Sequence, residues 1–175
     1  MKLLNWIGGF YVWLFRGTPL LLQIFFIYYA LPKMIPALTL PAFSAGVIAL
    51  IINSGAYTAE IIRAAILSID KGQYEAAKSL GLTYGQTMRL IILPQTYKRL
   101  IPPIGNEFIA LLKDSSLVST IGMTELMRAA QLKASATGKD AEIYLTALMI
   151  YLALTTVFTA LFNWLEKRMG KYEQQ

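Results

Sequence analysis

Neither cysteine nor histidine occurs among the 175 residues of the chain. Their absence excludes thiol nucleophiles, disulfides, imidazole general bases and the usual zinc and haem ligands. Charge is scarce too: Asp, Glu, Lys and Arg make up 15% of the residues, while 56% are hydrophobic. Soluble domains average roughly 25% charged and about 45–50% apolar, so this composition suits neither an ordinary soluble globule nor a disordered chain. The charge present leans positive, with 16 Lys+Arg against 10 Asp+Glu. Such an excess serves either nucleic acid or a membrane protein whose cytosolic loops carry the cations. Long uncharged runs decide for the membrane.

Three stretches contain no charged residue: Gly17–Pro32, Met34–Ala59 and Ile143–Leu165, with 16, 26 and 23 residues. A spanning helix needs about 20 mainly apolar residues. The pattern predicts an all-α integral membrane protein, one domain over residues 1–175, with about four transmembrane helices near 13–31, 41–62, 103–122 and 143–165. The first borrows residues below Gly17, with Arg16 snorkelling to the interface as an anchor. Pro102-Pro103 opens the third, because proline at the first helical position loses no hydrogen bond. Eleven Lys and Arg residues fall on the side holding both termini and the 63–99 loop, against four on the other side, which places that loop in the cytoplasm. The N-terminal residues lack the pattern of a signal peptide, since Arg16 interrupts the apolar run and no small-residue cleavage site follows.

Between the second and third spans, about residues 70–94, local chemistry predicts a helical hairpin. Asp70 caps a first helix and Gly81 supplies the left-handed position that stops it. Thr83 and Gln86 form a capping-box pattern that opens a second helix, and Pro94 is expected to close it. An amphipathic interfacial loop without further role also fits this periodicity.

The residue pattern goes further. Glu75-Ala76-Ala77, three residues, Gly81, nine residues, then Ile91-x-Leu93-Pro94 resembles the cytoplasmic loop motif of ABC-importer permeases. Phe15-Arg-Gly-Thr-Pro-Leu20 with Gln23 and Phe25–Tyr28 resembles a membrane segment of permeases for polar amino acids. Asn53-Ser-Gly-Ala-Tyr57 with Glu60 and Arg63, Gly105-Asn-Glu107 and Leu112–Leu117 resemble neighbouring segments. The similarity runs from about Tyr11 to the C-terminus and points to the histidine, glutamine and arginine permease type.

The resemblance implies a type I ABC importer transmembrane domain with a cytoplasmic helical coupling loop, multi-pass in the plasma or inner membrane. It implies the permease subunit of an ATP-driven importer for polar amino acids. Such a chain is not an enzyme and has no catalytic residue, metal or cofactor. ATP hydrolysis belongs to a separate cytoplasmic ATPase, and the sequence has no G-x-x-x-x-G-K-S/T loop. Further implied partners are an extracytoplasmic solute-binding protein, a second permease copy or homologue, the amino acid substrate and the lipid bilayer, but no nucleic acid. Glu75, Ala76, Ala77, Leu80 and Gly81 are the implied ATPase-coupling residues. The resemblance also implies five spans; here the Arg-Gly-Thr-Pro element arrives at residue 16, so the family's first helix is expected to be missing. That makes the chain a fragment, one begun at a wrongly chosen methionine, or a four-span variant. A gradient-driven secondary transporter or small channel for polar solutes is the alternative function, and it leaves the loop motif unexplained.

Ionisable residues at membrane depth mark candidate transport paths. Counted from Pro103, Glu107 lies about 6 Å and Asp114 about 17 Å along the helix. Glu107, Leu111 and Asp114 are expected on one face, with Lys113 on another. The expected polar pathway combines Gln23, Glu107, Leu111, Lys113 and Asp114, with Ser115 and Ser116 adding hydrogen bonds. Alternatively, Lys113 and Asp114 form an internal structural pair, or Lys113 bonds carbonyls of a neighbouring helix. Glu60 and Arg63, one turn apart, are expected to pair structurally.

Overall fold

The computed structural model describes residues 2–170, with the backbone alone described at Met169 and Gly170. Helix α1 (Lys2–Arg16) leads into a bend, after which α2 (Leu20–Phe25), a π turn (Phe26–Ala30) and α3 (Leu31–Met34) continue almost at right angles to it, at 104°. The expected first span over 13–31 is therefore not one straight helix. Pro19 has no N–H to offer the preceding turn and disfavours helical geometry at Thr18. The freed carbonyls find side-chain partners: Thr18 Oγ1 donates to Leu14 O at 2.8 Å, and Gln23 Nε2 donates to Phe15 O at 2.9 Å and Thr18 O at 3.1 Å.

After a single 3₁₀ turn at Pro36–Leu38 comes α4 (Ala42–Leu67), which takes in the expected second span and runs five residues beyond it. Its buried face is built of small or short residues, Ala45, Ala49, Asn53 and Ala56, three or four apart, with Gly46 beside the first. Small faces let helix backbones approach in a membrane, where van der Waals contact rather than hydrophobic burial drives association. Ala45 and Ala49 pack with Ile24, Ile27, Val118 and Ile121 into the main core cluster.

The hairpin follows as α5 (Lys71–Ser79) and α6 (Tyr84–Thr87). Asp70 Oδ1 accepts from the Gly72 N–H at 2.7 Å, Gly81 takes φ +77°, and Thr83 with Gln86 completes both halves of the capping box. Pro94, however, does not close the second helix, and Pro102-Pro103 does not open the next. The chain stays helical through a π turn (Met88–Ile92) into α7 (Leu93–Asp114), which contains both Pro102 and Pro103. The wider π register, with the Leu93 N–H donating to Met88 O, accommodates Pro94 in the first turn of α7. The earlier π turn likewise ends two residues before a proline, Pro32.

Beyond Asp114 the helix tightens into a 3₁₀ segment, Ser115–Ile121, ended by Gly122 at φ +83°. Helix α8 (Leu126–Thr137) is capped by the Glu125 carboxylate, which also accepts from the Tyr151 hydroxyl at 3.0 Å. Helix α9 (Asp140–Gly170) takes in the expected span over 143–165. Among the described residues, Ala42–Leu67 and Asp140–Arg168 are each long and apolar enough to cross a membrane alone, and the bent pair Lys2–Arg16 with Leu20–Met34 reaches that composition only together. The expected third span over 103–122 is not one separate helix: it joins the end of α7 to the 3₁₀ segment. Helix α7, which carries Lys98, Arg99, Glu107, Lys113 and Asp114, is not among the helices apolar enough to cross alone but packs against both α4 and α9. Leu145, Leu148, Leu152, Val157 and Leu161 on α9 stay exposed, as suits a face turned to lipid.

Candidate transport cleft and coupling hairpin

A cleft of about 450 Å³ opens where the Arg16–Leu20 bend meets α4 and α7. Thr18, Pro19, Leu20 and Leu21 form one wall, Asn53 and Tyr57 of α4 another, and Glu107, Ala110, Asp114 and Leu117 the third. Glu107 and Asp114 thus share one face, as their seven-residue spacing requires. Ala110, not Leu111, completes that face: Leu111 is half-buried on the flank of α7 and does not line the cleft.

Glu107 is held in place by Ser54, whose Oγ donates to Oε1 at 2.9 Å. Asp114 belongs to neither of the two ion pairs among the described residues, and Lys113 is exposed on another side of the helix. The expected alternative of an internal Lys113–Asp114 pair is therefore not formed, and Lys113 does not reach the cleft.

Three further residues of the expected pathway, Gln23, Ser115 and Ser116, lie outside the lining of this cleft. Gln23 does not line this cleft; it is 7% exposed, and its amide is used up within the fold. Besides the two carbonyls at the bend, its Nε2 reaches Thr18 Oγ1 at 2.9 Å, and its Oε1 accepts from Asn53 Nδ2 at 3.1 Å. A glutamine that must satisfy carbonyls released by a helix break has no donor left for a solute. Ser115 spends its hydroxyl on Leu112 O at 2.7 Å, and Ser116 lies outside the cleft lining.

Residues outside the expected pathway take their places. Thr18, Asn53 and Tyr57 line the cleft, and Ser54 orients Glu107. Polar Asn53 and Tyr57 stand one turn apart inside the long uncharged stretch 34–59, a spacing that puts both on one face of α4.

Below Tyr57 lies a charged cluster. Arg63 grips Glu60 with two bonds, Nε to Oε2 at 2.8 Å and Nη2 to Oε1 at 2.5 Å, the pair expected from their spacing. Arg16 does more than anchor the helix at the interface: it approaches Glu60 Oε1 at 3.6 Å and stacks its guanidinium 5.3 Å from the Tyr57 ring centre. One carboxylate thus faces two guanidinium groups, and α1 is tied to α4 just beneath the cleft.

On the hairpin, Glu75, Ala76 and Gly81 are exposed, and Leu80 is 79% exposed, which for leucine at a helix end is a large unpaired apolar surface. Ala77 differs. At 1% exposure it is packed within the chain, so its small side chain serves the inside of the hairpin rather than an outer partner. Tyr84, 74% exposed, extends the outer apolar surface beyond the residues anticipated from the motif.

Comparison with known proteins fits this geometry. Residues 1–171 match the family described as binding-protein-dependent transport system inner membrane component. The probable glutamine ABC transporter permease protein GlnM of Bacillus subtilis is 45% identical over 170 residues, covering 97% of this chain and 78% of that protein. The probable amino-acid ABC transporter permease protein PatM of Vibrio harveyi is 41% identical over 172 residues, covering 98% and 77%. In three dimensions, a crystal structure of an amino acid ABC transporter with histidines superposes with a TM-score of 0.91 at 45% identity, over 96% of this chain and 78% of that one. With the family match running over residues 1–171 and identities of 41–45% over nearly the whole chain, this chain belongs to the family of binding-protein-dependent transport system inner membrane components.

Proposed function

We propose that this chain is the membrane permease of an ATP-driven importer and that a polar amino acid crosses through the cleft between the Thr18–Leu21 turn, α4 and α7. The observation that carries the reading is the pairing of Glu107 and Asp114 on one wall of that cleft, with no Lys or Arg in its lining. Two carboxylates in largely apolar surroundings call for a positive partner. The ammonium group common to all amino acids, or a cationic side chain, supplies it. On the facing wall Tyr57 adds its hydroxyl, whereas Asn53, with its Nδ2 committed to Phe15 O and Gln23 Oε1, has only its Oδ1 left as an acceptor. Relatives named for glutamine and for amino-acid transport support the substrate class.

The hairpin is the proposed contact with a separate cytoplasmic ATPase. Glu75, Ala76 and Leu80 are presented outward, Gly81 fixes the exit angle of α5, and Ala77 keeps the two short helices packed. An extracytoplasmic solute-binding protein is proposed to deliver the substrate at the opposite face, and a second permease, identical or homologous, to complete the path.

The test is uptake of labelled amino acids into proteoliposomes carrying this chain with its ATPase and binding protein. Expected is uptake that needs both ATP and the loaded binding protein. Uptake that persists without ATP and collapses when ion gradients are dissipated would refute the reading.

A further inference from the structure

The hairpin joins its two membrane helices unequally. Toward α7 it has no loop: the π turn Met88–Ile92 passes directly into Leu93, so a displacement of the hairpin moves α7 with it. Toward α4 the connection is Ser68–Asp70, three residues outside any helix. Each such residue contributes two soft dihedrals, so this link alone transmits a push poorly.

A side chain bridges the gap. Arg99, in the second turn of α7, donates from Nη1 to the Ser68 carbonyl oxygen and to Ser68 Oγ, the latter at 3.0 Å. Ser68 is the C-terminal cap of α4, and its own Oγ donates to Ala65 O at 2.7 Å. The guanidinium therefore sits at the negative end of the α4 dipole and satisfies a carbonyl that the helix leaves unpaired. Gln95 Nε2 adds a bond from α7 to Gln73 Oε1 on α5 at 3.3 Å. Around this crossing Ala65, Ile69, Ile92 and Thr96 are buried.

The two helices so joined carry facing walls of the cleft, Asn53 and Tyr57 on α4 and Glu107 and Asp114 on α7. The Ser54–Glu107 bond ties the same helices higher up. We infer that Arg99 is a positioning residue for energy coupling: it clasps the end of α4 to α7, so that displacement of the hairpin reaches both walls of the cleft together. The inference rests on the importer reading above and assigns a residue outside the loop motif to the transmission step.

The experiment measures uptake and ATP hydrolysis side by side in proteoliposomes holding the complete complex. Arg99→Met is expected to assemble and hydrolyse ATP while importing about fivefold less amino acid per ATP, within the range that changes along a coupling network produce. Arg99→Lys keeps a cation at the end of α4 and is expected to recover much of the ratio. In the double variant Ser68→Cys with Arg99→Cys, a short bis-methanethiosulfonate reagent links the only two cysteines of the chain through a disulfide at each end, releasing methanesulfinate; the ratio should rise on bridging and fall when a reductant cleaves those disulfides. A wild-type ratio in Arg99→Met overturns the clasp, as does a bridged variant no better than the reduced one. Loss of assembly in all three variants also overturns it, because Arg99 then holds the fold rather than the coupling. Wild-type complex without ATP-dependent uptake overturns the importer reading itself, and the clasp falls with it.

Discussion

Asp114 is the residue whose charge the cleft depends on most directly. Glu107 has Ser54 to hold it, whereas Asp114 lines the cleft with no ion-pair partner among the described residues. Replacing it by asparagine keeps the shape and removes the charge. Uptake by Asp114→Asn, compared at equal amounts of assembled complex, is expected to fall about tenfold or more, the scale of one hydrogen bond to a charged group. Lys113→Met, which changes an exposed side chain outside the cleft, is expected to leave uptake near the wild-type rate. Gly105 makes a second prediction at this scale. A Cβ there would lie 2.7 Å from Phe162 Cγ and 3.0 Å from Phe162 Cβ, at the crossing of α7 and α9. Phe158 and Phe162 both pack against Phe108 in the same seam, so the ring has little room to retreat. Gly105→Val is expected to destabilise the chain by about 1–3 kcal/mol, the usual cost of overpacking. Thermal unfolding in detergent measures it, and Phe162→Ala should restore part of the loss.

At the scale of elements, the hairpin is stopped and started by local chemistry and aimed by Gly81. With φ at +77°, a β-branched residue at that position is strained by about 1–2 kcal/mol even though nothing crowds it. Gly81→Val is therefore expected to leave the chain in the membrane while reducing capture of the ATPase in pull-down assays. Leu80→Asp tests the outer surface without touching the backbone, because Leu80 is 79% exposed. Wild-type capture by both variants would exclude this hairpin as the docking element. The bend between α1 and α2 is the second element with functional weight. It brings four consecutive residues, Thr18–Leu21, into the cleft wall, which a straight helix could not do because successive side chains point about 100° apart. The carbonyls it exposes are answered by Gln23 and Asn53, which is why these two amides are buried where a membrane helix would otherwise place apolar groups.

For the whole molecule, the distribution of cations predicts which face is which. The hairpin face is expected in the cytosol and the opposite face, with the Pro36–Leu38 turn and α8, outside. The parent chain has no cysteine, so single cysteines at Ala37, Lys78 and Ala136, all exposed, report sidedness without background. Membrane-impermeant thiol reagent added outside intact cells should label positions 37 and 136 and spare 78. Labelling at 78 would invert the assignment and remove the ATPase from reach of the hairpin.

Much of this architecture was legible because it rests on short-range rules. Composition required a membrane helix bundle, and caps such as Asp70, Thr83 with Gln86, and Gly81 act over three or four residues of chain. The Glu107–Asp114 face follows from helical period alone. Proline interrupts less than its local chemistry predicts: Pro94 sits in the first turn of α7 directly after a π turn, and Pro102 and Pro103 lie inside α7, which packs against both α4 and α9. Which polar residue meets the cleft was decided by partners far away in sequence. Gln23 is turned inward by Asn53, 30 residues on, and Glu107 is set by Ser54, 53 residues back. Ala77 and Ala76 are neighbours of one type, yet one is buried and the other exposed. The sequence by itself determined the helices, their solvent and their caps, since propensity, hydropathy and capping are properties of a short window. Only the tertiary structure decided which side chains are spent on satisfying the fold and which remain to meet a solute, since that depends on where a broken helix sends its unpaired carbonyls.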